Sequence, residues 1–170
     1  MLRSLEQERA KYAWECIESL KSDKRREEDS KSGLLSKIVK VMKEKRKREI
    51  TEEEIRNYYE SLEKRYSSYI KKTPTLIQTN GLGNTLAFYK SKFGTEREEE
   101  LSADKRAYKL IYDHINGWFK KRFRKSENIV EWIISEKTSS IEVFQVTKEI
   151  IALLNWMKRF SEAELRGEEV

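Results

Sequence analysis

The sequence predicts an all-α protein, folded as a single compact bundle-like domain of six or seven helices over residues 1–170. One proline and six glycines in 170 residues leave few breaks, which favours long helices. No stretch shows the sustained alternation of apolar and polar residues that is typical of strands. Four Trp, eight Tyr and six Phe residues supply a core, and this argues against a disordered chain.

The first predicted helix runs from about Leu2 to Lys21, because its apolar residues recur on one helical face. These residues are Leu2, Leu5, Ala10, Ala13, Ile17 and Leu20. Residues 23–33 follow as an exposed charged loop or a frayed helix end, since no apolar residue occurs between 23 and 32. The single cysteine, Cys16, lies among the apolar residues and is expected to be buried, which suits a reducing compartment.

Two amphipathic helices are predicted next. One follows Gly33 and carries its apolar residues on one face: Leu34, Leu35, Ile38, Val41 and Met42. The other begins at Thr51, which has the spacing of a capping box with Glu54. Its apolar face steps by three and four through Ile55, Tyr59, Leu62, Tyr66 and Tyr69. We expect this helix to end at Thr73, because proline disfavours helical geometry in the residue before it.

A fourth helix is predicted after a short apolar turn at residues 76–77 and a bend near residues 80–83. Its face is Leu82, Leu86, Tyr89 and Phe93, and Gly94 ends it. Residues 96–100 form an acidic connector. Ser102 is the predicted cap of a fifth helix, whose inward face is Tyr108, Ile111, Tyr112, Ile115 and Phe119.

Ser126 is the predicted cap of a short sixth helix, with Ile129, Val130, Ile133 and Ile134 on its apolar face. A last helix is predicted from about Ile141 to Leu165. Its expected inward residues are Phe144, Ile151, Leu154, Met157 and Phe160.

Residues that could support catalysis are sparse. His114 is the single histidine, so neither a histidine-pair metal site nor a separate catalytic base is available. Gly81 and Gly83 lack the Lys-Ser or Lys-Thr that completes a phosphate-binding loop. The acidic connector with Asp104 could hold a magnesium ion for a nuclease, or it is a solvated segment. We expect a protein that is not an enzyme and has no cofactor or metal.

The charge balance favours a polyanionic partner. The net charge is +6 and the pI is about 9.2, values that are typical of nucleic-acid-binding domains. Residues 1–72 hold 20 Lys and Arg against 15 Asp and Glu, and residues 73–170 hold 16 against 15. Charged residues make up 39% of the chain, and enrichment in Lys and Glu also supports the hypothesis of a heat-adapted source.

Two basic clusters stand out within this charge. The first lies in one twelve-residue stretch in which only Glu44 opposes it, and it is formed by Lys37, Lys40, Lys43, Lys45, Arg46, Lys47 and Arg48. The second lies among Trp118, Phe119 and Phe123, and it is formed by Lys120, Lys121, Arg122, Arg124 and Lys125. Such cations bind phosphates by releasing counterions, and an exposed aromatic ring could stack on a base. The alternative is that the aromatic rings belong to the core and the cations only solvate the helices.

No secretory or membrane segment is evident. The residues from Met1 to Glu6 contain no apolar signal region. The longest strongly apolar stretch, Ile150 to Met157, is far shorter than a membrane span. The protein is therefore expected to be cytoplasmic and to have no membrane partner.

Two segments carry a resemblance to a known family. One is Pro74 to Leu82, continuing through Leu86-Ala87-Phe88 to Ser91-Lys92, and the other is Asn155 to Ala163. Together with Arg9-Ala10 and Ala13, they resemble the small helical subunit of the Cmr complex, the type III-B CRISPR effector also called the RAMP module. The stretch from 23 to 54 matches no motif of that family.

The resemblance implies a non-catalytic subunit of an RNA-guided antiviral complex. Its partners would be other Cmr subunits, stacked copies of itself, and guide RNA and target RNA through phosphate contacts, with no small-molecule substrate. It places Leu86, Phe88 and Trp156 in the core, and it adds Lys92 as a motif cation that could reach phosphate. The residues expected to contact RNA are therefore Lys37, Lys40, Lys43, Arg46, Lys120, Lys121, Arg122, Arg124, Lys158 and Arg159. The alternative is a purely structural protein–protein adaptor with no RNA contact of its own.

Overall fold

The structure, a computed structural model, describes residues 2–167, and in that range it contains eight α-helices, one 3₁₀ turn and no strand. The all-α prediction is confirmed, whereas the predicted number of helices was too low. The helices are α1 (Leu5–Glu18), α2 (Ser22–Ser32), α3 (Leu34–Arg46), α4 (Glu52–Asn80), α5 (Leu82–Phe93), α6 (Ala103–Phe123), α7 (Ile129–Ile134) and α8 (Ser140–Glu164), with the 3₁₀ turn at Glu98–Glu100 before α6.

The core lies where the three long helices α4, α6 and α8 meet. Helix α4 packs on α6 and on α8, α1 covers α8, and α5 covers α6. Large side chains at the centre are fully buried, among them Trp118, Tyr66 and Phe119. Each such side chain contributes about 1.5–3 kcal/mol through removal of apolar surface from water. Among the described residues, no helix is both long and apolar enough to cross a membrane.

Side-chain caps fix where several helices begin. Thr51 accepts a hydrogen bond from the Glu54 amide while the Glu54 carboxylate accepts from the Thr51 amide, so the predicted capping box is confirmed. Ser102 caps α6 as predicted. The cap of α7 is Asn128 and not Ser126, because the Asn128 side chain accepts the Val130 amide.

Residues 23–33, predicted as an exposed loop, are mostly helix α2 and its C-cap. Helix α2 has no apolar face, so its contacts with the rest of the protein are polar. Asp29 is buried against α4 and α6. The Ser22 amide at its first turn donates to Glu63 Oε2 at 3.1 Å. Gly33 then adopts a positive φ of 82°, which ends the helix.

Helix α4 continues through Pro74, contrary to the predicted break at Thr73. Proline cannot donate a backbone hydrogen bond and disturbs the turn before it. The Thr73 hydroxyl donates to the Tyr69 carbonyl at 2.7 Å and so supports that turn. Thr73, Pro74 and Ile77 are all buried. Tertiary packing of this face therefore outweighs the local preference of proline.

Several apolar residues predicted to point inward are exposed. Phe144 is 63% exposed and Ile134 is 75% exposed. In α8 the buried residues Val146 and Ile150 define the inward face. Phe144 precedes Val146 by two residues, which is about 200° of helical rotation, so its side chain points away from the core. Leu154 and Met157 are buried as predicted, whereas the other expected inward residues of α8, Ile151 and Phe160, are half-buried.

Candidate nucleic-acid interface

The first basic cluster lies on α3 and is largely neutralised. Lys43 Nζ lies 2.7 Å from Glu49 Oε2, and Arg46 forms an ion pair with Glu54. Lys37 and Lys40 are exposed and form no ion pair within residues 2–167. Ile38 on the same helix is buried, which confirms one apolar and one basic side. Two of the four cations of this cluster that were predicted to contact RNA are therefore available to a polyanion.

The second basic cluster lies at the C-terminal end of α6 and is not neutralised. Lys120, Lys121 and Arg122 occupy its last turn, and Arg124 follows in a left-handed conformation with φ 52°. All four side chains are exposed, and none forms an ion pair in the described part of the chain. The carbonyl end of the helix favours cations there, so the cluster is locally stable without carboxylates.

The aromatic residues among these cations belong to the core. Trp118 and Phe119 are fully buried, and Phe123 is half-buried against Phe119, with ring centroids 5.9 Å apart. The Trp118 Nε1 donates to Glu149 Oε1 at 3.1 Å, and Arg9 binds the same carboxylate through two nitrogens. Base stacking on Trp118 and Phe119 is therefore excluded, and the cations remain the predicted RNA contacts of this cluster.

The third pair of predicted cations lies on α8 beside α1. Arg159 is exposed and lines a shallow groove of about 250 Å³ with Glu6, Asn155 and Trp156. Lys158 is half-buried. Trp156, predicted as core, is half-buried, and its Nε1 donates to Glu6 Oε1 at 2.7 Å. This residue joins the two helices at the surface.

The structure separates the first two clusters along α6. Lys45 of α3 lines the same groove as Lys105 at the start of α6, whereas Lys120 is in its last turn. At about 1.5 Å per residue, the span from Lys105 to Lys120 is roughly 22 Å. The two clusters cannot bind the same phosphate, but one extended polynucleotide could reach both.

A third basic surface was predicted only through Lys92, the motif cation that could reach phosphate. Residues 64–95 contain six Lys and Arg and no Asp or Glu, so the net charge of this segment equals the net charge of the whole chain, +6. It covers the second half of α4 and all of α5. Of its cations, Lys64, Lys71, Lys72, Lys90 and Lys92 form no ion pair within residues 2–167. The absence of carboxylates over 32 residues is the sequence signal that would have found this surface.

The histidine, the cysteine and the acidic connector, which were considered for catalysis or metal binding, lie in buried or ion-paired surroundings. Burial lowers the pKa of His114 to about 4, and its Nδ1 lies 2.7 Å from Tyr66 Oη. Burial also raises the pKa of the Cys16 thiol to about 12. In the acidic connector, Glu96 pairs with Lys105, and Arg97 Nη2 lies 2.6 Å from Glu100 Oε1. Within the described residues, no group of three His, Cys, Asp or Glu side chains could hold a metal ion.

The glycine-containing turn also has a structural role. Gly81 separates α4 from α5 with φ 85°, a conformation that strongly favours glycine. A Cβ atom added at Gly83 would lie 3.4 Å from Ile133 Cγ2, which is an ordinary van der Waals contact between α5 and α7. The turn at Gly81 agrees with the predicted bend near residues 80–83.

Most of the chain matches the model of a known protein family. The family model described as CRISPR-associated protein (Cas_Cmr5) matches residues 42–164. The match begins within α3 and ends with the last residue of α8, and it contains both segments that carry the resemblance seen in the sequence. It also contains the α6 and α8 cations and the carboxylate-free segment. Lys37 and Lys40 lie outside it.

Proposed function

The chain belongs to the Cas_Cmr5 family, the small subunits of the type III-B Cmr CRISPR complex, and from this we propose that it is a non-catalytic subunit that binds RNA phosphates within that complex. The bound RNA would be the guide RNA and the target RNA paired with it. Copies of the chain would stack along the complex, so that each copy supplies a few phosphate contacts. Cleavage would belong to other subunits.

The observation that carries this proposal is the unneutralised cluster at the end of α6. Lys120, Lys121, Arg122 and Arg124 are exposed and form no ion pair among residues 2–167, although Arg122 lies near enough to Glu149 to help lower the pKa of that carboxylate. Four neighbouring cations without a direct ion pair repel one another and attract a polyanion, and binding would release its condensed counterions. Contacts of this kind position the backbone and carry no base specificity.

A reconstituted complex tests this proposal. We expect replacement of all four α6 cations by glutamine to leave assembly intact and to weaken binding of guide–target RNA regardless of sequence. The matched control replaces four ion-paired surface cations, Lys11, Lys24, Lys31 and Arg97, which already have carboxylate neighbours. Equal RNA affinity in both variants would contradict the phosphate role.

A second candidate function is a protein–protein adaptor with no RNA contact of its own. It is favoured by the exposed apolar side chains at the junction of α7 and α8, which are Ile134, Ile141 and Phe144. Exposed apolar residues grouped on one side of a protein often mark contacts with other proteins. In this alternative the free chain has no measurable RNA affinity and retains assembly when its cations are removed.

A further inference from the structure

A groove between α4 and α5 has features that phosphate binding does not explain. It has a volume of about 280 Å³, near the lower end of small-ligand pockets, which begin at roughly 300 Å³. It lies inside the carboxylate-free segment. Its lining residues are Leu76, Asn80, Asn84, Thr85 and Phe88.

Phe88 is the aromatic residue that lines this groove. It was predicted as a core residue, yet it is 46% exposed. Side chains of a helix lean toward its N-terminus, so the ring of Phe88 leans toward Asn84 and the groove. Lys92, one turn later, leans back over Phe88, and its Nζ lies 4.8 Å from the ring centroid. The groove and the ammonium group are thus expected on opposite sides of the ring.

The ring is held in place by a ladder of tyrosines. Phe88 meets Tyr108 edge to face, with centroids 6.1 Å apart and planes at 83°. Tyr108 in turn stacks on Tyr69 at 4.3 Å and packs against Tyr89. An exposed aromatic ring supported in this way is preorganised to stack on a planar ligand, because little rotamer freedom remains to be lost.

Polar groups occupy the end of the groove near the Gly81 turn. Asn80 and Asn84 are exposed, and each side-chain amide has both donors and an acceptor. Thr85 is buried, and its hydroxyl has no hydrogen-bond partner among the described residues. This hydroxyl oxygen is enclosed by protein atoms, so the polar groups that a ligand in the groove could reach are the two asparagine amides.

Cations flank the apolar part of the groove. Lys72 precedes Leu76 by one turn of α4, and Lys92 follows Phe88 by one turn of α5. Neither forms an ion pair within residues 2–167. A ligand that is planar in the groove and anionic on either side would satisfy this arrangement.

We propose that this groove binds one unpaired base of a single-stranded RNA segment. The base stacks on the open face of Phe88, its polar edge meets the amides of Asn80 and Asn84, and the adjoining phosphates lie near Lys72 and Lys92. This deepens the proposed RNA-binding function, because it adds a base contact to the phosphate contacts. A protein partner fits less well, since a stable interface buries about 800 Å² on each side and this groove holds a single planar group.

Fluorescence anisotropy with a labelled oligoribonucleotide tests the groove in the purified full chain. Phe88→Ala should weaken binding of a single strand by about tenfold, because stacking on an aromatic ring contributes about 1–3 kcal/mol per base. Binding of a fully paired RNA duplex should not change. Phe88→Leu retains apolar volume without the ring and should behave like Phe88→Ala, which separates stacking from a packing defect.

Phe144→Ala is the matched control. Phe144 is also an exposed phenylalanine under a lysine four residues later, with Lys148 Nζ 5.5 Å from its ring centroid. It lines none of the grooves described here. It should therefore bind single strands as the unmodified chain does.

Three results would overturn the proposal of a base site. They are equal single-strand affinity for the Phe88 and Phe144 variants, equal loss on single strands and duplex, and loss only of assembly with protein subunits. The last result would identify the groove as a protein contact. If the chain binds the duplex but Phe88→Ala does not weaken single-strand binding, the base site alone is contradicted. If the unmodified chain binds no RNA at all, the proposed function is contradicted as well.

Discussion

Arg106 of α6 and Asp29 of α2 form a doubly hydrogen-bonded ion pair in the interior, with both side chains only 1% exposed. The Nη1 and Nη2 atoms lie 2.5 and 2.8 Å from the two carboxylate oxygens, and Tyr59 Oη donates to the same carboxylate at 2.6 Å. Burial opposes ionisation of Asp29, but the hydrogen bonds from Arg106 and Tyr59 outweigh it and lower its pKa. This ion pair connects α2, a helix with no apolar face, to the core.

We expect Asp29→Ala to lower the free energy of unfolding by about 3–5 kcal/mol, because it leaves the buried Arg106 without its two short hydrogen bonds and with only the ion pair from its Nε to Glu98 at 3.7 Å. Urea denaturation would measure the loss. Asp23→Ala, at an exposed position of the same helix, should cost at most about 1 kcal/mol. Similar losses in the two variants would mean that the buried pair does not hold α2 in place.

Stability should also fall below neutral pH because of His114. Its pKa is about 4 in the folded protein and about 6.5 in an unfolded chain. Between these values the unfolded chain takes up a proton that the folded protein does not. The contribution of His114 to the free energy of unfolding is therefore complete above pH ~6.5 and is lost as the pH falls toward ~4. The loss is at most about 3 kcal/mol.

His114→Gln should flatten this pH dependence, since glutamine does not titrate and can still bond to Tyr66. Denaturation curves at pH 7 and pH 5 would show it. The low pKa of Asp29 affects stability at a lower pH than His114 does, because the stabilisation that it provides is lost only as the pH falls below its unfolded pKa of about 3.9. An unchanged loss of stability between pH 7 and pH 5 in the glutamine variant would exclude His114 as its source.

The two basic clusters should contribute differently to RNA binding. The salt dependence of duplex binding is measured as the slope of log Kobs against log salt concentration. Lys120→Gln with Lys121→Gln should reduce the magnitude of this slope by up to about 1.8, since each lost phosphate contact removes about 0.9. Lys43→Gln with Arg46→Gln should lower it by less, because those cations already pair with Glu49 and Glu54. A larger effect of the α3 pair would show that RNA displaces those carboxylates.

The apolar side chains at the α7–α8 junction should matter for assembly and not for folding. We expect Ile141→Ser with Phe144→Ala to leave the free energy of unfolding within about 1 kcal/mol, because both side chains are exposed. Binding to the other subunits should weaken by about 2 kcal/mol, the range of residues central to interfaces. Leu2→Ala, at a fully exposed position, is the control in the same pull-down or calorimetric assay.

The helices that could be predicted are those with an apolar stripe and a local cap. Thr51 with Glu54 and Ser102 set the starts of α4 and α6 through neighbours three residues away, so local sequence contains the information. Helix α2 could not be predicted in this way. Its stability depends on Arg106 and Glu63, which are distant in sequence and identifiable only in the folded chain.

The candidate site was predictable in its charge but not in its geometry. The cations of the α6 cluster were identified from sequence as candidate RNA contacts, and in the structure their side chains are exposed. The pairing of Arg46 with Glu54 depends on how the loop after α3 folds back, which composition does not reveal. Phe88 fits an apolar helical pattern, and only the packing of α5 on α6 shows that its ring is half outside.

A salt titration of binding between the purified protein and a guide–target RNA duplex tests the central claim most directly. We predict affinity that falls steeply with salt and is the same for unrelated sequences, as expected for phosphate contacts. Absence of binding at low salt, or binding that ignores salt, would contradict the phosphate-binding role and favour the protein–protein adaptor.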